Sequence, residues 1–82
     1  MIKTRLFVSG LTKDTSSLDL QNLFSPFGEV LNAKAWIDLE TQECKGWGFV
    51  EMIRAIDAYE AMMALDGKWR DGKRLSVTES TT

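Results

Sequence analysis

Lys45-Gly46-Trp47-Gly48-Phe49-Val50-Glu51-Met52 alternates large and small side chains over the length of a single strand. Successive side chains of a strand point to opposite faces. Lys45, Trp47, Phe49 and Glu51 therefore share one face, and Gly46, Gly48, Val50 and Met52 share the other. A charged residue beside two large aromatics makes a poor core. Glycine, glycine, valine and methionine make a good one if another element packs closely on the glycines. The aromatics are thus expected on the side that meets water. Arg5-Leu6-Phe7-Val8-Ser9 repeats the arrangement, with Leu6 and Val8 pointing one way and Arg5, Phe7 and Ser9 the other. If the two strands are neighbours, Phe7, Trp47 and Phe49 form an exposed platform with Arg5 and Lys45 at its margin. Aromatics for stacking and a few cations suit a single-stranded nucleic acid, whose bases have apolar faces and whose backbone is anionic.

The remaining segments supply the layer that covers the other face. Ser16 is placed as a helix N-cap with Asp19 three residues on, a capping box. Leu20, Leu23, Phe24 and Phe27 follow as one apolar helical stripe, ended by Pro26 and Gly28. A strand from about Val30 to Ile37 points Ala33 and Ala35 inward and Lys34 and Trp36 toward the platform, whereas a slip of one residue would turn Trp36 into the core. Asp38 to Glu43 reads as a polar, acidic loop. A second helix, about Ile56 to Leu65, carries Ala58, Ala61, Met62 and Leu65 at core spacing and stops at Asp66-Gly67. Lys68 to Gly72 is turn-rich and has room for a small hairpin. A last strand, about Arg74 to Thr78, turns Leu75 and Val77 inward and Arg74 toward the platform, and fraying is expected beyond it. The order is βαββαβ, the α+β ferredoxin-like arrangement in which two helices cover one face of a four-stranded antiparallel sheet. Residues 1–82 are read as one domain with its core at about 5–79.

Composition narrows the function. The chain has one cysteine and no histidine, which removes an internal disulfide, a zinc site and histidine-based acid–base chemistry. No catalytic residue, metal or cofactor is expected. No stretch is long and apolar enough to span a membrane. Met1-Ile2-Lys3-Thr4 leads directly into the first strand, without space for a signal peptide. An intracellular location is expected, nuclear or cytoplasmic, or organellar where a targeting segment has been removed. The formal net charge of −2 predicts weak non-specific binding, so affinity should lean on stacking and hydrogen bonds more than on counterion release.

The chain resembles the RNA-recognition motif family. Leu6-Phe7-Val8-Ser9-Gly10-Leu11 is similar to its first-strand hexamer and Lys45 to Met52 to its third-strand octamer, Lys/Arg-Gly-aromatic-Gly/Ala-Phe-Val-x-aromatic. Leu23 to Val30 resembles the exit of its first helix. Ala61 to Gly67, with Gly72 and Leu75-Ser76-Val77, looks like its second helix and final strand. The resemblance covers essentially the whole chain, in order. It implies a sheet order of 4-1-3-2, base stacking on Phe7 and Phe49, sugar or base contact by Trp47, and a phosphate contact by Lys45. Arg5, Lys34 and Arg74 would add phosphate contacts and Trp36 an accessory one. The implied partner is single-stranded RNA, with single-stranded DNA as the related ligand, bound by a monomer in post-transcriptional processing or regulation. The chain departs from the family at Trp47, where phenylalanine or tyrosine is usual. Met52 replaces a core aromatic, and Ser9-Gly10 stands for a more usual Gly-Asn. Glu51 and Glu79 are expected near the nucleic-acid path, where they would repel phosphate.

Two other readings start from residues the platform leaves over. Ile56, Tyr59 and Met63 form a second stripe on the second helix, which is either partly buried beside the sheet edge or a protein-docking face. Trp69 either covers the end of that helix or belongs to a peptide-binding variant of the family. Lys68-Trp69-Arg70 sets the aromatic one place early for that variant, and the first helix lacks its acidic run. A ferredoxin-like acylphosphatase would need a glycine-rich phosphate cradle, and a metal carrier would need a second cysteine beside Cys44.

Overall fold

The computed structural model describes residues 3–80. Met1, Ile2, Thr81 and Thr82 lie outside the described residues, and with them part of the expected lead-in and of the expected fraying, whereas Glu79 and Ser80, where the sequence also predicts fraying, continue the last strand. The chain runs β1 (Thr4–Ser9), α1 (Ser17–Phe24), a 3-10 turn (Ser25–Phe27), β2 (Val30–Ile37), β3 (Cys44–Met52), α2 (Ala55–Leu65), the short strands β4 (Trp69–Arg70) and β5 (Lys73–Arg74), and β6 (Ser76–Ser80). The main sheet is antiparallel in the order β2-β3-β1-β6. With β6 as its last strand this is the expected 4-1-3-2 arrangement. Leu6 lies opposite Val50, and Phe7 opposite both Phe49 and Thr78.

Local chemistry places each helix. The Ser16 hydroxyl accepts from the Asp19 amide, and the Asp19 carboxylate accepts from the Ser16 amide, satisfying two orphan donors at the start of α1. Regular α-helix stops at Phe24, one turn earlier than the apolar stripe suggests, because Pro26 draws Ser25–Phe27 into 3-10 geometry. Phe27 still packs against the core from that turn. In α2, Ala58, Ala61 and Leu65 are buried, and Gly67 leaves the helix with φ +82°.

The core is one layer between sheet and helices. Leu6, Val8, Val50, Met52 and Val77 from the strands meet Leu20 and Phe24 of α1 and the buried alanines of α2. Gly48 permits the closest approach. A Cβ there would overlap the Lys34 carbonyl oxygen and lie 3.0 Å from Ala35 Cα and 3.1 Å from Leu20 Cδ2. Met52 is fully buried as a core filler.

The small hairpin corrects the expected last strand. Asp71 and Gly72 have φ of +53° and +82°, the left-handed pair of a tight hairpin turn. They pair Trp69 with Arg74 and Arg70 with Lys73, so Arg74 belongs to this hairpin and the sheet strand begins at Ser76. Among the described residues no helix is long and apolar enough to cross a membrane.

Gly48→Ala should destabilise the fold by about 1–3 kcal/mol or more, because backbone atoms must shift to admit the methyl group. Urea unfolding monitored by circular dichroism checks this. A variant as stable as the parent would show that β2 and α1 do not press on this position.

Candidate nucleic-acid interface

The sheet face opposite the helices is built from alternate residues of three strands. Phe7 of β1 is 40% exposed and Trp36 of β2 is 37% exposed, while Trp47 and Phe49 of β3 are half-buried. The aromatics form a connected surface. The Trp36 and Trp47 rings stack at 4.9 Å between centroids and 15° between planes. Phe7 lies 5.7 Å from Trp47 at a 34° tilt. Trp36 is thus on the platform rather than in the core. The reason is local: Ala35 pairs with Gly48 and Ile37 with Cys44, a bulge that leaves Lys45, Gly46 and Trp47 opposite Trp36. Gly46 takes φ +98° within that bulge, a conformation that favours glycine.

Cations lie on the rings. The Arg5 guanidinium sits 4.6 Å above the Phe49 centroid and Lys34 Nζ 5.2 Å from that of Trp36. Lys34 and Lys45 line one shallow groove beside Trp36, at the open end of β2. Arg5, Lys34, Trp36 and Lys45 are brought together with Phe7, Trp47 and Phe49 as parity predicts, but Arg74 is not. Its Nε donates to the Gly67 carbonyl at 3.2 Å, in the hairpin, so it is not a platform cation.

The carboxylates behave differently from the sequence expectation. Glu51 stands on the platform face but is only 5% exposed. Arg5 Nε and Nη2 donate to the same Glu51 oxygen at 3.2 and 3.0 Å, and Lys3 Nζ approaches it at 3.3 Å. Its charge is neutralised in place, and it anchors Arg5 over Phe49. Sequence reasoning gave Glu51 only a repulsive role; the cross-strand pairing of Arg5 with Glu51 is the signal that reveals its partner. Glu79 shares the inward parity of Val77, and its carboxylate accepts from the Tyr59 hydroxyl of α2 at 3.0 Å, away from the aromatics. On α2, Ile56 and Met63 are exposed on either side of that bond, Met63 at 82%.

Desolvation pushes the Glu51 carboxyl up, but hydrogen bonds and charge from Arg5 and Lys3 outweigh it and hold the group below its ordinary value of 4.5. The ion pair therefore contributes fully above that value, and its contribution is lost as pH falls through the lower folded value. The stability difference between the parent and Glu51→Gln should shrink from about pH 7 to about pH 3 in urea melts. A difference constant across that range would rule out ionic anchoring.

The model of the family described as the RNA recognition motif matches residues 6–76. The chain is 44% identical over 69 residues to Organelle RRM domain-containing protein 2, mitochondrial, of Arabidopsis thaliana, covering 84% of this chain and 44% of that protein. It is 34% identical over 79 residues to the Glycine-rich RNA-binding, abscisic acid-inducible protein of Zea mays, covering 96% of this chain and 50% of that protein. The chain thus spans about half the length of these relatives or less. Its fold superposes on the crystal structure of RNA Binding Protein PG1 with a TM-score of 0.89 and 32% identity, over 96% of this chain and 95% of the other. With its βαββαβ order, its sheet topology and a family match over most of its length, this chain belongs to the RNA recognition motif family.

Proposed function

We propose that the chain binds single-stranded RNA through the aromatic face of its sheet, as part of post-transcriptional RNA processing or regulation. The observation that carries this reading is the continuous surface of Phe7, Trp47 and Trp36 with Phe49 beside it, on the side that no helix covers. Phe7 and Phe49 each stack one base. Trp47, flanked by Phe7 and Trp36, contacts a sugar or a base edge, and Trp36 extends the surface toward the β2 edge. Lys45 and Lys34 meet phosphates. A base arriving at Phe49 displaces the Arg5 guanidinium from the ring and turns it toward the backbone. A stack is worth about 1–3 kcal/mol per base, so two stacks with a charge contact correspond to about micromolar affinity. The RNA-binding unit is residues 5–79, acting as a monomer in an intracellular compartment.

Docking of a partner protein, through the sheet face or through Ile56, Tyr59 and Met63 of α2, is the competing use of this domain. The commitment of the Tyr59 hydroxyl to Glu79 gives that tyrosine a structural task within the chain.

Phe49→Ala should weaken binding of a short degenerate RNA pool by about tenfold or more, with far-ultraviolet circular dichroism unchanged, and Tyr59→Ala should leave binding unaltered. Amide shifts in an NMR titration should gather at Phe7, Trp36 and Lys45 to Phe49. A loss of several kcal/mol of stability in Phe49→Ala, or shifts confined to α2, would sink the platform reading.

A further inference from the structure

The end of the sheet beside Trp47 carries a second cationic feature. The loop after β1 is zipped onto the start of β3: the Leu11 amide donates to the Gly46 carbonyl at 3.0 Å, and the Cys44 amide donates to the Lys13 carbonyl at 2.8 Å. Lys13 is thereby fixed next to Lys45. The hairpin arrives from the other side. Gly10, at φ +81°, has no Cβ to block the Arg74 carbonyl, which packs directly against it. Lys73, the residue before Arg74, consequently lines the same depression as Lys13, Lys45 and Gly46. All three lysines are exposed, and none has an ion-pair partner among the described residues.

We infer that Lys13, Lys45 and Lys73 form a phosphate track that carries the RNA strand off the aromatic platform and over the end of the sheet. The track rests on the proposed RNA-binding reading and extends it by a site for backbone alone. Two features select this occupant. The depression is continuous with the platform, since Gly46 lies in its wall and adjoins Trp47. Its ionisable side chains other than the Cys44 thiol are cations, although the chain as a whole is acidic. The neighbouring depression is bounded by Asp14, Glu43 and Asp71 and shares only Thr12 and Lys13 with it. Those carboxylates repel phosphate and confine the strand to the lysine side. No base-stacking ring lines the track, so it reads charge and adds length-dependent, sequence-independent affinity.

The test is the salt dependence of binding for degenerate single-stranded RNA pools of about four and about ten nucleotides. Parent, Lys13→Gln/Lys73→Gln and Phe49→Ala are compared between about 50 and 200 mM potassium chloride. Each lost phosphate contact on a single strand lowers the slope of log affinity against log salt by about 0.7. The double variant should therefore lose about 1.4 from its slope on the long pool, keep its slope on the short pool and melt like the parent. Phe49→Ala should weaken both pools without that change of slope. Equal slopes for parent and double variant on the long pool, or an equal drop on both pools, would overturn the track and leave the platform standing. A parent that binds neither pool would overturn the platform reading and the track with it.

Discussion

The closeness of β2 and α1 to Gly48 governs the geometry of both faces of the sheet. With no side chain at that position, Leu20 reaches the sheet and Ala35 packs across from it, so α1 settles flat on the inner face. The same contact seats β2 tightly against β3, and this brings Trp36 within stacking distance of Trp47. The outer surface is therefore a product of inner packing. A larger residue at position 48 would push β2 away and separate the two tryptophans although it altered no side chain of the outer face itself.

Net charge is a poor guide to this molecule because five of its twelve carboxylates are committed to structure. Asp19 closes the capping box of α1. Asp38 takes the Glu40 and Thr41 amides in the turn after β2, and these bonds hold its carboxyl below the usual range. Asp66 accepts from the Val77 amide, tying the end of α2 to β6. Glu51 is held by Arg5 and Lys3, and Glu79 by Tyr59. These five acidic residues cap helices, close turns and fix edges, whereas Lys34 and Lys45 remain exposed beside the rings. Field strength at the platform follows from that division, not from the sum over the chain.

Strand parity made most of the platform legible in the sequence. The faces of Phe7, Trp47 and Phe49 follow from a period of two, and the capping box follows from Ser16 and Asp19 alone. Trp36 was ambiguous because a one-residue slip reverses its face, and only the pairing of β2 with β3 settles it. The place of Arg74 differs from the parity expectation because the sheet strand starts only at Ser76, after the hairpin that Asp71-Gly72 turns, and not at Arg74. The anchoring role of Glu51 and the tie of Glu79 to Tyr59 depend on neighbours twenty or more positions away. One-letter order contains no such register until the strands are aligned.

A sheet that presents four aromatic residues to water is ordinarily an adhesive surface, prone to join copies of itself. Here the rings are already partnered within one molecule. Trp36 and Trp47 cover one another, Lys34 lies near the Trp36 ring, and the Arg5 guanidinium, pinned by Glu51, roofs Phe49. Hydrated cations replace much of the bare hydrocarbon that a second copy would need to grip. The salt link beneath the roof thereby holds a charged group over the Phe49 ring, so that a second copy approaching there would meet a cation rather than bare hydrocarbon.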